Sequence, residues 1–181
     1  MKIYRYTAIV AAVLFAAPAL ADMTLKEQQE TLAAHNTERA IIGVNPLQWS
    51  PELARFAQQW ANELAASGVP RHNPDRNRNN PIKAGAYLGE NIVWGGDPEL
   101  FGPTDWLFEK QWYNHSKDDG FGYKSPPGCT APAGYTCGHF TQMIAKITQI
   151  VGCGKAKSLS ETNYIVCDYY PGGNIPGQKP Y

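Results

Sequence analysis

The sequence predicts an α+β domain, with helices packed on a small antiparallel sheet. Two helix patterns with their own start and stop signals precede residue 69, and two strand patterns, each carrying a cysteine, stand close together near the C-terminus. Between them lies a stretch dominated by Gly, Pro and Asn, without a repeat or an interdomain linker.

Thr24-Leu25-Lys26-Glu27 reads as a capping box, in which a hydroxyl and a carboxylate three residues later satisfy each other's backbone N–H. A helix is expected from there to about Ile42, stopped by Gly43. Ser50 is a good N-cap, Pro51 suits the first helical position and Glu52 complements the positive end of the dipole. Leu53, Phe56, Ala57, Trp60, Ala61 and Leu64 recur at helical spacing as one buried face, with Gly68 as the stop. Val69 to Ala84 reads as a loop, and Asn91 to Trp94 as a short extended piece. Asp105 to Tyr113 is expected to form a third helix anchored by Trp106 and Trp112, and His139 to Lys146 a short fourth. Gln149 to Lys155 and Asn163 to Tyr170 read as strands, and Ser116 to Tyr135 as a long irregular segment.

The first 21 residues have the pattern of a secretory signal peptide: Lys2 and Arg5, an apolar run from Ile9 to Ala17, and the small-x-small site Ala19-Leu20-Ala21. Residues 22–181 then form one domain of 160 residues with 14 basic and 16 acidic side chains, or −2. That balance, with no basic face, argues against nucleic acid, and no later stretch is long and apolar enough to span a membrane. The expected location is extracellular, or periplasmic in a Gram-negative host; the short leader and low cysteine count read as bacterial. Cys129, Cys137, Cys153 and Cys167 are an even set in an exported chain, hence two disulfides. Three connectivities are open, and the sequential pairs Cys129–Cys137 and Cys153–Cys167 are favoured. A cysteine zinc site is disfavoured because no CxxC pair is present.

Four side chains stand out as chemistry-bearing. His72 lies in a polar loop, His139 follows Cys137-Gly138, Glu90 sits between Gly89 and Asn91, and Glu109 falls one helical turn after Trp106. Two imidazoles and two carboxylates suit zinc or another divalent cation, although they form no local HExxH motif. His35, beside Asn36 and Arg39, reads as a hydrogen-bonded structural residue, and His115 as a solvated one within the sequon Asn114-His115-Ser116. No GxSxG-type nucleophile motif is present.

Several motifs occur in a fixed order. Cys137-Gly138-His139-Phe140-Thr141-Gln142-Met143-Ile144 resembles the GHYTQ signature of the CAP superfamily, the cysteine-rich secretory, antigen 5 and pathogenesis-related class-one proteins. Val151-Gly152-Cys153 follows, and Cys167-Asp168-Tyr169-Tyr170-Pro171-Gly172-Gly173-Asn174 resembles the second signature, CNYxPxGN. His35-Asn36 with Arg39, Leu47 with Trp49, and Gly89-Glu90-Asn91 are CAP-like as well. The resemblance runs from about residue 28 to the C-terminus. It implies a three-layer α-β-α sandwich around the sheet and a cleft tetrad of His72, Glu90, Glu109 and His139. In that tetrad the histidines hold the ion and the glutamates act through water or as supports. Ala145 stands where the family usually has Trp, and Asp168 where it usually has Asn.

The resemblance implies a secreted binding protein with a metal-capable cleft, whose partner is a sterol, another lipid or an extracellular protein, in a host-interaction or defence-type role. Phe121, Tyr123 and Tyr135 are candidate rings for shielding an apolar ligand. One alternative is a metal-dependent hydrolase with Glu90 or Glu109 as general base. Another is release of the irregular tail 171–181 as a signalling peptide, against a tail packed on the domain edge.

Overall fold

The computed structural model describes residues 22–95, 106–113 and 128–181. The signal-peptide pattern, the sequon with His115, and Phe121 and Tyr123 lie outside them. Helix α1 spans Leu25–Ile41, strand β1 Gln48–Trp49, helix α2 Pro51–Ser67, strand β2 Gly89–Gly95, helix α3 Gly138–Met143, strand β3 Ile150–Lys157 and strand β4 Asn163–Tyr170. Glu109–Trp112 form a 3-10 turn that continues the helical residues 106–108, so the described part of the expected third helix tightens as it ends. The expected fourth helix starts one residue earlier, at Gly138, and is finished at Met143.

Local signals explain both long helices. The Thr24–Glu27 box closes in both directions around the start of α1. Ser50 accepts from the Leu53 N–H, Pro51 occupies the first turn of α2, and Gly68 ends it at φ 68°. The sheet has the order β1-β3-β4-β2. It is mixed rather than wholly antiparallel: β1 runs parallel to β3, whereas β3–β4 and β2–β4 are antiparallel. The two residues of β1 dock beside β3 because the Asn36 amide of α1 clamps both polar backbone groups of Leu47, at 2.7 and 3.1 Å.

Alternation along the strands sorts side chains into two layers. Ile92, Ala156, Tyr164 and Val166 pack against Ala57, Ala61, Leu64 and Ala65 of α2. Here α2 lies almost on the backbone: a Cβ at Gly152 would stand 2.2 Å from the Ala54 nitrogen, and one at Gly154 2.3 Å from the Gln58 Cα. Trp60 of the expected buried stripe is only partly buried, its indole N–H donating to the Arg71 carbonyl at 3.0 Å. On the opposite face, Val151, Cys153, Ile165, Cys167 and Tyr169 share a core with Phe140, Met143 and Ile144 and with Leu32 of α1. Both sequential disulfides are formed, Cys129–Cys137 and Cys153–Cys167, the second between directly paired residues of β3 and β4.

Helix α1 buries Thr31, His35, Glu38 and Arg39, a polar face in the middle of a core. Each has a partner. The fully buried Arg39 guanidinium donates to the carbonyls of Asn45, Met143, Ala145 and Thr148 at 2.7–3.0 Å. Lys110 reaches Glu38 at 2.7 Å. His35 is buried between the Thr31 carbonyl and the Tyr169 hydroxyl, in keeping with a structural role.

Candidate functional site

Strand β2 is an edge strand, and alternation turns Glu90 and Asn91 to opposite faces of the sheet at that edge. A cavity of about 690 Å³ opens there, lined by His72, Arg76, Tyr87, Glu90, Asn91, Thr136, Gly138, His139, Gln142, Asn174, Ile175 and Pro176. The fold therefore brings His72, Glu90 and His139 to one cavity although 67 positions separate the two histidines. Glu109 stands directly behind His139.

Each imidazole is held by a carboxylate. His72 Nδ1 lies 2.5 Å from Oε1 of Glu90, whose side chain is wholly buried and also accepts the Asn73 N–H at 3.0 Å. His139 Nδ1 lies 2.5 Å from Oε1 of Glu109, whose Oε2 accepts the N–H groups of His139 and Phe140 at 3.0 and 3.1 Å. Glu109 thus orients the ring and satisfies two free N–H groups in the first turn of α3. The indole of Trp106 stacks under the His139 ring, centroids 6.2 Å apart and planes 18° apart. Among the described residues, Nε2 of neither histidine has a hydrogen-bond partner.

The loop that carries His72 is built from asparagines. Asn73 accepts from the Asp75 N–H, Asn77 from Leu88, and Asn80 from Ile82 and Lys83. Arg76 ties the loop to itself and to β2 through the carbonyls of Asn73 and Leu88. Side-chain acceptors thereby replace a regular backbone ladder, which accounts for a polar loop holding a defined shape.

On the other side of the cleft, Asn91 donates to the His139 carbonyl at 3.0 Å and to the Tyr169 hydroxyl at 3.2 Å. Tyr169 in turn meets His35 at 2.8 Å. Burial drives the His35 pKa down to about 4, so at neutral pH its ring is uncharged. Burial also pushes the Tyr169 phenol up, keeping its proton for His35. Gln142 packs against Gly89, where a Cβ would stand 2.2 Å from its amide oxygen, and accepts the Gly173 N–H at 2.9 Å.

The tail packs on the domain edge. Asn174 bonds to Thr141 and to the Gly138 carbonyl, Lys146 N–H donates to the Pro180 carbonyl, and Tyr181 packs against the core. Beneath it, Ala145 lines a second cavity of about 190 Å³ with Ile147, Gly173, Ile175 and Pro180. Tyr135 does not line the main cavity; it is 63% exposed, with its ring centroid 4.9 Å from that of Trp112.

The structure brings together the four His and Glu side chains singled out in the sequence, and adds Arg76, Tyr87 and Asn174 as cavity wall. No local pattern marks those three, because their place depends on how the loop and tail lie across β2. Among the described residues no three His, Cys, Asp or Glu side chains stand together as a metal-holding group, and no helix is long and apolar enough to cross a membrane.

The chain is similar to pathogenesis-related protein PRMS of Zea mays, 33% identical over 158 residues that cover 84% of this chain and 81% of that one. It is also 33% identical over 146 residues to the human Golgi-associated plant pathogenesis-related protein 1, covering 81% and 83%. The fold matches the crystal structure of NaASP2 with Zn2+ at a TM-score of 0.68, with 22% identity over 88% of this chain and 86% of that one. It matches venom allergen-like protein 4 of Schistosoma mansoni at 0.62, with 24% identity, covering 85% and 92%. Residues 32–169 match the model of the cysteine-rich secretory protein family, CAP, and together with the two sequence relatives this places the chain in the CAP family.

Proposed function

We propose that the protein is an exported binding protein whose cleft holds a divalent cation, zinc first, on Nε2 of His72 and His139. The observation that carries this reading is the pair of imidazoles on one cavity, each with Nδ1 committed to a buried or nearly buried carboxylate. A carboxylate on the far nitrogen fixes the ring and raises the basicity of the near one, the arrangement common behind metal-bound histidine. Two imidazoles are fewer than the three protein ligands usual for catalytic zinc, so the site suits weak, exchangeable binding completed by water or ligand. The ion would supply a Lewis-acid centre for an oxygen-bearing ligand. Oε1 of Glu90 and both oxygens of Glu109 are already occupied by imidazole and backbone N–H groups. That commitment favours binding over hydrolysis with either as general base.

The ligand follows from the walls. A volume of about 690 Å³ falls in the range of small-molecule sites, and Tyr87, Ile175 and Pro176 add apolar surface to its lining beside the histidines. A sterol or other lipid with one polar oxygen suits that lining. Likeness to pathogenesis-related proteins supports a role in defence or host interaction. Release of residues 171–181 would first have to break the Asn174 and Pro180 contacts.

Calorimetric titration with zinc tests the ion site. His72→Ala and His139→Ala should each abolish measurable binding, and Glu109→Gln should weaken it by roughly 10–100-fold. Zinc binding unchanged in the double histidine variant would refute the site. Incubation with sterol and fatty-acid vesicles, followed by extraction, tests the ligand; a protein that emerges lipid-free from both removes the lipid reading and leaves the ion site standing.

A further inference from the structure

Asp168 pairs in register with Gly152 on β3 and with Glu90 on β2. It therefore shares the α2-facing side of the sheet with both, and directly opposed side chains in an antiparallel pair are nearest neighbours. It is fully buried, and neither carboxylate oxygen has a hydrogen-bond partner among the described residues. An isolated ionised carboxylate in such a place carries a desolvation cost that proteins normally avoid by pairing or by protonation. The cation nearby, Arg76, uses its guanidinium on the carbonyls of Asn73 and Leu88.

Glu90, the neighbour across the ladder, has the opposite shortfall. Its Oε1 takes both His72 and the Asn73 N–H, whereas Oε2 receives only a long 3.4 Å contact from the same N–H. One buried carboxyl lacks an acceptor for a proton, and the adjacent one lacks a donor for its second oxygen. The ionisable groups facing Asp168 are Glu90 from β2 and Arg76 from the loop. Strand β3 presents Gly152 opposite it, and the buried face of α2 over this layer is apolar: Leu53, Ala57, Ala61 and Leu64.

We propose that Asp168 is carried as a neutral acid whose hydroxyl is directed at Oε2 of Glu90, completing a chain from Asp168 through Glu90 to His72. The proton stays on Asp168 and Glu90 keeps its charge; no transfer is involved. Asp168 is then a positioning residue, which locks the carboxylate that orients the His72 ring. Burial first, and then the Glu90 charge, push the Asp168 carboxyl well above the ordinary range, with Arg76 opposing. The chain does not require an ion on the histidines, so it stands or falls separately from the zinc site.

The test uses infrared difference spectra and thermal melts of the intact protein. At neutral pH the wild type should show the C=O stretch of a protonated carboxyl that is absent from Asp168→Asn. Glu90→Gln, which removes the charged acceptor, should shift that band. The native state keeps a proton that the unfolded chain releases above a pKa of about 3.9, so this group's stabilisation is full below that pH and declines as pH rises. Asp168→Asn keeps the donor and the shape without the titration. Its melting temperature should match the wild type near pH 4 and exceed it near pH 8. No protonated-carboxyl band in the wild type overturns the proposal, whether or not the variants fold. A band untouched by Glu90→Gln overturns the pairing, and parallel pH profiles for wild type and Asp168→Asn overturn the buried acid.

Discussion

Replacing Arg39 with Met is expected to destabilise the protein by at least about 4 kcal/mol, because four carbonyls lose their donors at once. Each buried acceptor left without a partner costs roughly 1–3 kcal/mol, and Met fills the volume without supplying an N–H. The carbonyls belong to three places that must meet: Asn45 after α1, Met143 and Ala145 at the end of α3, and Thr148 before β3. The guanidinium is the joint between them. Burial lowers its pKa to about 10, still far above neutrality, so the charge persists at pH 7. Arg39→Lys should recover only part of the loss, since an ammonium cannot span the same fork. Urea unfolding checks this, and a melting temperature lower by roughly 10 °C or more should accompany it. An Arg39→Met protein within about 1 kcal/mol of the wild type would mean that those carbonyls find other partners.

The second large effect is acid destabilisation through His35. Its folded pKa is about 4 against an ordinary 6.5, because burial opposes the charged ring. A depressed value means that the unfolded chain binds the proton more readily than the native one. The stabilisation is therefore complete above about pH 6.5 and is lost as pH falls through 4, with a total of about 3 kcal/mol. The neutral ring donates from Nδ1 to the Thr31 carbonyl and accepts the Tyr169 hydroxyl at Nε2, the one tautomer that fits both partners. Protonation turns Nε2 into a second donor, and the Tyr169 hydroxyl must give up its bond. Since Tyr169 also holds Asn91, which holds the His139 carbonyl, loosening should reach the cleft. His35→Phe should be less stable at neutral pH and flatter between pH 4 and 6.5. If its profile keeps the wild-type slope there, another group carries the acid sensitivity.

The two effects explain why α1 was only half legible. Its capping box and its stop were plain in the sequence, yet its buried face of Thr31, His35, Glu38 and Arg39 looks like a solvated stripe to any rule based on apolar periodicity. Arg39 meets carbonyls far along the chain, His35 the Tyr169 hydroxyl and Glu38 the Lys110 ammonium, and no local pattern announces those distant partners. Helix α2 is the contrary case. Leu53, Ala57, Ala61 and Leu64 stand at helical spacing and are buried, since an apolar stripe is its own reason for burial.

For the site, the sequence by itself supplied the parts: His72, Glu90, Glu109 and His139 as candidate chemistry-bearing side chains, four cysteines for two disulfides, and two strand patterns at the C-terminal end. Their chemistry is a property of residue type and of near neighbours. Only the tertiary structure decided which carboxylate serves which imidazole, which cysteines pair, that β1 joins the sheet in parallel, and that Asp168 is buried against Glu90. These depend on strand register and on a loop folded over an edge strand, contacts between residues as far apart as Gln48 and Ile150 or Gly89 and Tyr169. A period of two or 3.6 residues carries no information over that distance; closure of the whole core supplies it.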